Sequence, residues 1–221
     1  MGLKFGIDDA GRGPVIGPMI VAGCVIHEEH EDILRQLGVK DSKLLPHKKR
    51  IELEMEIKKI AHSFSVRIVE PDTITDTNNA GLLLNELEAS MAADIINEIN
   101  NHDEEMHTVL DCPSPNILSW ENFLKKKIVK LDNLIISCEH KADFNHVSVG
   151  CASILAKCER ERQMDKLKEI YGPGIGSGYP SDPKTKSFLE KYAKKHSDKG
   201  IFRKNWETYK KATTDSQSTL F

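Results

Sequence analysis

The chain has little net charge, few aromatic residues and no long apolar run, and each shortage removes a class of protein. A formal charge of −3 over 221 residues is not that of a chain basic throughout, the simplest signature of a nucleic-acid coat. Aromatic residues make up 6% and hydrophobic residues 39%, which suits a soluble, charge-rich globular protein with one full core. No apolar stretch approaches the ~20 residues of a membrane helix. Pro14 to Ile26 is the nearest, and it is interrupted by Gly17, Pro18 and Gly23. The N-terminus lacks a basic region followed by an apolar one, so no signal peptide and no membrane partner is expected. The five cysteines, Cys24, Cys112, Cys138, Cys151 and Cys158, are odd in number, scattered and without CxxC spacing. That argues against a structural zinc and for a reduced, cytoplasmic protein. There are no internal repeats.

What is present is concentrated first at Phe5 to Pro18, FGIDDAGRGPVIGP. Leu3, Phe5 and Ile7 alternate with Lys4, Gly6 and Asp8, the period of a strand. Asp8 and Asp9 then stand side by side where the strand should finish. Adjacent carboxylates repel, and a cation relieves the repulsion. In a continuing strand the two would point to opposite faces, so a bend at Ala10–Gly11 is expected if both serve one site. Gly11 and Gly13 let backbone amides approach a phosphate or sugar, and Arg12 between them offers a charged fork. An ordinary polar turn with a solvated Asp pair fits the same residues.

Further along, the pattern predicts a strand over Val15–Ile26, a short helix over Glu28–Gln36 and a helix from Pro46 to about Ala61. A strand over Ser63–Val69 precedes a mostly helical stretch, Asp72–Ile99, broken near Asn78–Gly81. Leu83, Leu87, Met91, Ile95 and Ile99 form its expected buried stripe. His107–Leu110 is a strand that delivers Asp111, and Leu134–Ser137 is a strand followed by Asp143. A helix is expected over Ser119–Lys127 and another over Val147–Ile170, with a small face made by Gly150, Ala152, Ser153 and Ala156. Tyr171–Pro183, YGPGIGSGYPSDP, is a glycine- and proline-rich loop that carries Tyr179. Helices follow over Lys184–Lys195 and Asn205–Lys211, with Trp206 as a packing anchor, and Thr213–Phe221 has the composition of a flexible tail. Between Lys184 and Lys211 ten basic residues stand against three acidic ones, a local surface suited to phosphate or simply to solvent. Strands alternating with helices, and two leading strands close in sequence, predict an α/β fold with a mixed sheet flanked by helices. A catalytic domain over 1–182, a helical C-terminal lobe over 183–212 and a tail over 213–221 are the expected divisions.

Asp8, Asp9, Asp111 and Asp143 each fall at or just past an expected strand end. Four converging carboxylates need divalent metal, and two ions about 3.5–4 Å apart would activate water against a phosphodiester. An all-carboxylate set favours Mg²⁺ or Mn²⁺ over softer ions.

These residues carry a family resemblance. GIDDAGRGPVIGPM at 6–19, KDSK at 40–43, HKAD at 140–143, ASILAK at 152–157 with Arg160 following, and GSGYPSDP at 176–183 resemble the ordered signature blocks of ribonuclease HII, particularly the archaeal form. The resemblance runs from about residue 3 to 211. It implies a ribonuclease H-like fold and a metal-dependent endonuclease acting on RNA in RNA/DNA hybrids and 5′ of ribonucleotides embedded in duplex DNA. It also implies metal ligation by Asp8, Asp9, Asp111 and Asp143, reading of the ribose 2′-OH by Gly11, Arg12 and Gly13, stacking of Tyr179 on the neighbouring sugar, and a phosphate contact at Lys43. The family usually has Glu at the second acid, where this chain has Asp9. The charge is kept on a side chain one methylene shorter, and activity is expected to survive. The end, Gln217-Ser218-Thr219-Leu220-Phe221, resembles a truncated sliding-clamp motif on an otherwise monomeric enzyme. Two rival readings stay open on sequence alone: a catalytically impaired nucleic-acid-binding homologue, and a nuclease of the same fold with other specificity.

Overall fold

The computed structural model describes residues 2–39 and 45–214. The expectations for the KDSK block with Lys43, and for the 217–221 motif, lie outside the described residues.

A five-stranded mixed sheet has the order β3-β2-β1-β4-β5. Strand β1, Leu3–Ala10, pairs antiparallel with β2, Met19–His27, from Leu3↔His27 to Ala10↔Ile20. Strand β4, Met106–Asp111, lies parallel to β1, and β5, Leu134–Glu139, lies parallel to β4. Strand β3, Ser63–Val69, is the edge beside β2. The run MIVAGCVI in β2 is buried on both faces, as a central strand requires, whereas burial alternates residue by residue along β4.

The helices are α1, Glu31–Leu37; α2, His47–Ile60; α3, Pro71–Asn79; α4, Leu84–Ile99; α5, Ile117–Lys125; α6, Ala142–Asn145; α7, Val147–Tyr171; α8, Pro183–Tyr192; and α9, Glu207–Thr214. Among the described residues none is long and apolar enough to cross a membrane. Two compact units share the chain. One comprises Met1–Ala10, Ile20–Arg67 and Asn85–Cys158; the other comprises Gly11–Met19, Ile68–Leu84 and Glu159–Phe221. In the first unit Ile20, Cys24, Leu53, Ile57, Cys151, Ile154 and Leu155 are among the core residues. In the second, Val15, Ile16, Phe188, Leu189, Phe202 and Tyr209 cluster, with Trp206 half-buried against them. All five cysteines are buried, and no disulfide links them.

Several expected elements shift for local reasons. The strand expected over Val15–Ile26 starts only at Met19, because Gly17 takes a left-handed backbone (φ +85°) and Ile16 instead forms a bridge with Phe202. Leu83 does not join the helical stripe: it precedes α4 and is 60% exposed, while Leu87, Ile95, Ile96 and Ile99 are buried. Helix α9 continues through Thr213 and Thr214, two residues read as tail. The one-turn helix α6 went unanticipated because four residues carry no periodic signal.

The small face expected on α7 has its counterpart on the strand. A Cβ at Gly6 would overlap the backbone of Ser148 and Val149, so glycine sets how closely α7 approaches β1. Gly6→Ala is expected to destabilise the protein by about 1–3 kcal/mol or more, read as a lower urea midpoint at unchanged slope.

Candidate active site

The acids lie at the carboxyl ends of the central parallel strands, where open α/β sheets commonly present chemistry. Asp8 is within β1 and only 6% exposed. The register Ile7↔Leu110 is the last β1–β4 pair, so the next residues along each strand are Asp8 and Asp111. Asp8 Oδ1 accepts the Asp9 backbone N–H at 2.8 Å. Burial is the largest influence on Asp8 and pushes its pKa well above the usual carboxylate range. The charge of Asp9 pushes the same way, as does that of Asp111; a hydrogen bond with the fully buried Ser153 and the Asp9 N–H oppose them.

Asp111 ends β4, and its Oδ1 accepts the Ala142 N–H at 2.8 Å. That contact draws the start of α6 to the strand end, with Asp143 the next residue, 6% exposed. The turn into α6 depends on Lys141, whose φ of +58° makes it the non-glycine residue with a left-handed backbone among those described. Such a conformation costs about 1–3 kcal/mol and persists where surrounding contacts hold it.

Both acids are still paired to β2, Asp8 with Ala22 and Asp9 with Val21, and the left-handed turn comes only at Gly11 (φ +80°). The bend therefore comes at Gly11, after both residues. Asp8, Asp9 and Asp111 share an electrostatic neighbourhood; Asp143 joins it through the backbone of Ala142. Among the described residues no three His, Cys, Asp or Glu side chains form a ready-made coordination shell. What fits a divalent ion is the donor chemistry: carboxylate oxygens only, held together against their own repulsion.

In the other unit, the glycine loop lies against the loop of Tyr179. Val15 and Ile16 donate backbone N–H groups to Gly178 O at 2.9 and 3.3 Å. A Cβ at Gly13 would stand 3.8 Å from the Tyr179 ring, which is itself 39% exposed. Arg160 lies over that ring at 5.0 Å and donates to Ser177 O at 3.0 Å. Arg203 does not belong to the basic surface read over 184–211: it is completely buried, while the lysines of that stretch are exposed or, at Lys204, half-exposed. Ser153, Arg160 and Arg203 were missed as site residues. Ser153 looked merely small, Arg160 stood only as the residue following a signature block, and Arg203 carried no signal beyond charge.

A mixed five-stranded sheet flanked by helices, with acids gathered at parallel strand ends, defines a ribonuclease H-like nuclease fold. The ribonuclease HII family matches residues 5–209. Ribonuclease HII of Methanocaldococcus jannaschii is 42% identical over 225 residues, covering 97% of this chain and 96% of that protein. The crystal structure of ribonuclease H2 from Pyrococcus horikoshii OT3 has a TM-score of 0.87 at 35% identity, covering 98% of this chain and 100% of that one. RNase HII of Archaeoglobus fulgidus, solved in a complex with PCNA, has a TM-score of 0.81 at 37% identity, covering 93% and 95%. The chain belongs to the ribonuclease HII family and is a type 2 ribonuclease H, an endoribonuclease of RNA/DNA hybrids.

The burial of Asp8 has a measurable sign. Its folded pKa is raised above the unfolded value, so the metal-free fold gains stability as pH falls through the folded pKa, and the gain levels off near the unfolded one. Above that window the charged form is a penalty. Asp8→Asn should abolish cleavage, raise the neutral-pH melting temperature of the metal-free protein and flatten this pH dependence. Thermal melts across pH, beside a cleavage assay, check all three.

Proposed function

We propose that the protein is a divalent-metal-dependent endonuclease that cuts 5′ of ribonucleotides embedded in duplex DNA, in addition to RNA in hybrids. The observation that carries this reading is the electrostatic grouping of Asp8, Asp9 and Asp111, with Asp143 tied in beside Ala142. Asp8, Asp9, Asp111 and Asp143 would hold Mg²⁺ or Mn²⁺. When bound, the metal supplies an activated water and neutralises the leaving oxygen. The protein's own part is to hold the acids in place before substrate arrives. The Ala142 N–H orients Asp111, and Ser153 and the Asp9 N–H orient Asp8.

Asp9 keeps the charge of the family's usual Glu on a side chain one methylene shorter, and that charge acts on Asp8. Gly11, Arg12 and Gly13 would read the 2′-OH, the group that separates ribose from deoxyribose. Tyr179 has Arg160 against its ring and remains partly exposed to pack on a sugar. Lys43 is the proposed phosphate contact by family resemblance. With Mg²⁺ or Mn²⁺, a duplex carrying one ribonucleotide should be cut once and its all-deoxy counterpart left intact. Cleavage of both, or of neither with either metal, would refute this reading.

We also propose sliding-clamp binding through residues 217–221, supported by the tail's sequence and by the PCNA complex of the Archaeoglobus relative. Deleting 216–221 should remove measurable affinity for the clamp while leaving cleavage unchanged. Equal affinity with and without the tail would end that idea.

A further inference from the structure

We infer that Arg203 is a positioning residue that presets the sugar-reading loop, assisted by Trp206; this rests on the reading that residues 11–13 sense the 2′-OH. A guanidinium removed from water is costly and is tolerated only where its donors are engaged. Arg203 is 0% exposed. Its Nη1 donates to Arg12 O at 2.7 Å, its Nη2 to Gly11 O at 2.5 Å and Gly17 O at 3.0 Å, and its Nε to Gly17 O at 3.1 Å. Its own backbone N–H donates to Val15 O at 2.9 Å. Trp206 lies 5.2 Å from the guanidinium carbon, a cation–π distance, and its Nε1–H donates to Gly13 O at 3.2 Å.

These contacts have a direction. A trans peptide sets its C=O and the following N–H antiparallel. The carbonyls of Gly11 and Arg12 both turn to one cation, which the left-handed Gly11 permits. The partner amides, Arg12 N–H and Gly13 N–H, are therefore aimed the other way. The third peptide has no amide to aim, since Pro14 follows, and Trp206 takes its carbonyl instead. Successive amides aimed to one side make a concave donor surface for an electron-rich oxygen. Arginine suits the task because its planar fork reaches three carbonyls at once, which a lysine ammonium cannot do in the same geometry.

The test compares wild type, Arg203→Lys and Trp206→Phe on two duplexes that differ only in 2′-OH or 2′-fluoro at the single ribonucleotide position. Melting temperature and Mn²⁺ affinity are measured alongside. The wild type is expected to favour the 2′-OH substrate in kcat/KM. In Arg203→Lys that preference should shrink roughly ten- to a hundred-fold, the scale of losing hydrogen bonds to a charged group. In Trp206→Phe it should shrink by a smaller factor, with Mn²⁺ affinity unchanged in both. A variant that is only less stable loses activity on both substrates in proportion and keeps the ratio. An unchanged ratio in Arg203→Lys overturns the assignment, and if that variant does not fold, an unchanged ratio in Trp206→Phe does so. A wild type indifferent to the 2′ group overturns the sugar-reading loop itself, and the assignment with it.

Discussion

Holding Asp8 out of water beside two other carboxylates is the constraint on which the active site turns. Nothing in an apolar interior favours that arrangement, and the raised proton affinity of Asp8 records the opposition. The fold meets it by bringing donors to the acids. The Asp9 amide and the Ser153 hydroxyl serve Asp8, and the amide at the start of α6 serves Asp111. Even the strained backbone of Lys141 belongs to this solution, because it turns the chain from β5 into the helix that supplies that amide. Mutual repulsion at the acids is the kind of local instability that a bound cation relieves.

The glycine loop at 11–13, proposed here to read the sugar, solves a different problem with the opposite charge. A loop rich in glycine is conformationally free, and freedom in a recognition element is an entropic cost at the moment of binding. Here the loop's carbonyls are engaged by a buried arginine and a tryptophan, and its neighbouring amides are tied to Gly178. Glycine supplies the unusual backbone angle, and residues nearly two hundred positions away supply the rigidity.

The sequence showed most of what is local and periodic. The alternation in β1, the strand–acid junction at Asp111 and the glycine-rich loop around Tyr179 were all legible, because each rests on short-range pattern or turn chemistry. The sheet's mixed character followed from two leading strands too close for a crossover. What escaped depends on partners remote in the chain. Arg203 looks like any member of a basic run until its carbonyls are known, and Ser153 like any small helix residue. The bend at Gly11 was legible as turn chemistry, whereas the pairing of Asp9 with Val21 shows only in the register of the strand.

The way the two compact units share the backbone bears on how such an enzyme changes over generations. Each is assembled from three separated stretches, and the polypeptide passes from the acid-bearing one to the one holding the glycine loop between Ala10 and Gly11. No single recombination break can therefore lift either unit out intact and graft it elsewhere. The acids and the glycine loop are inherited as one piece, so change in either comes by substitution in place and not by module exchange.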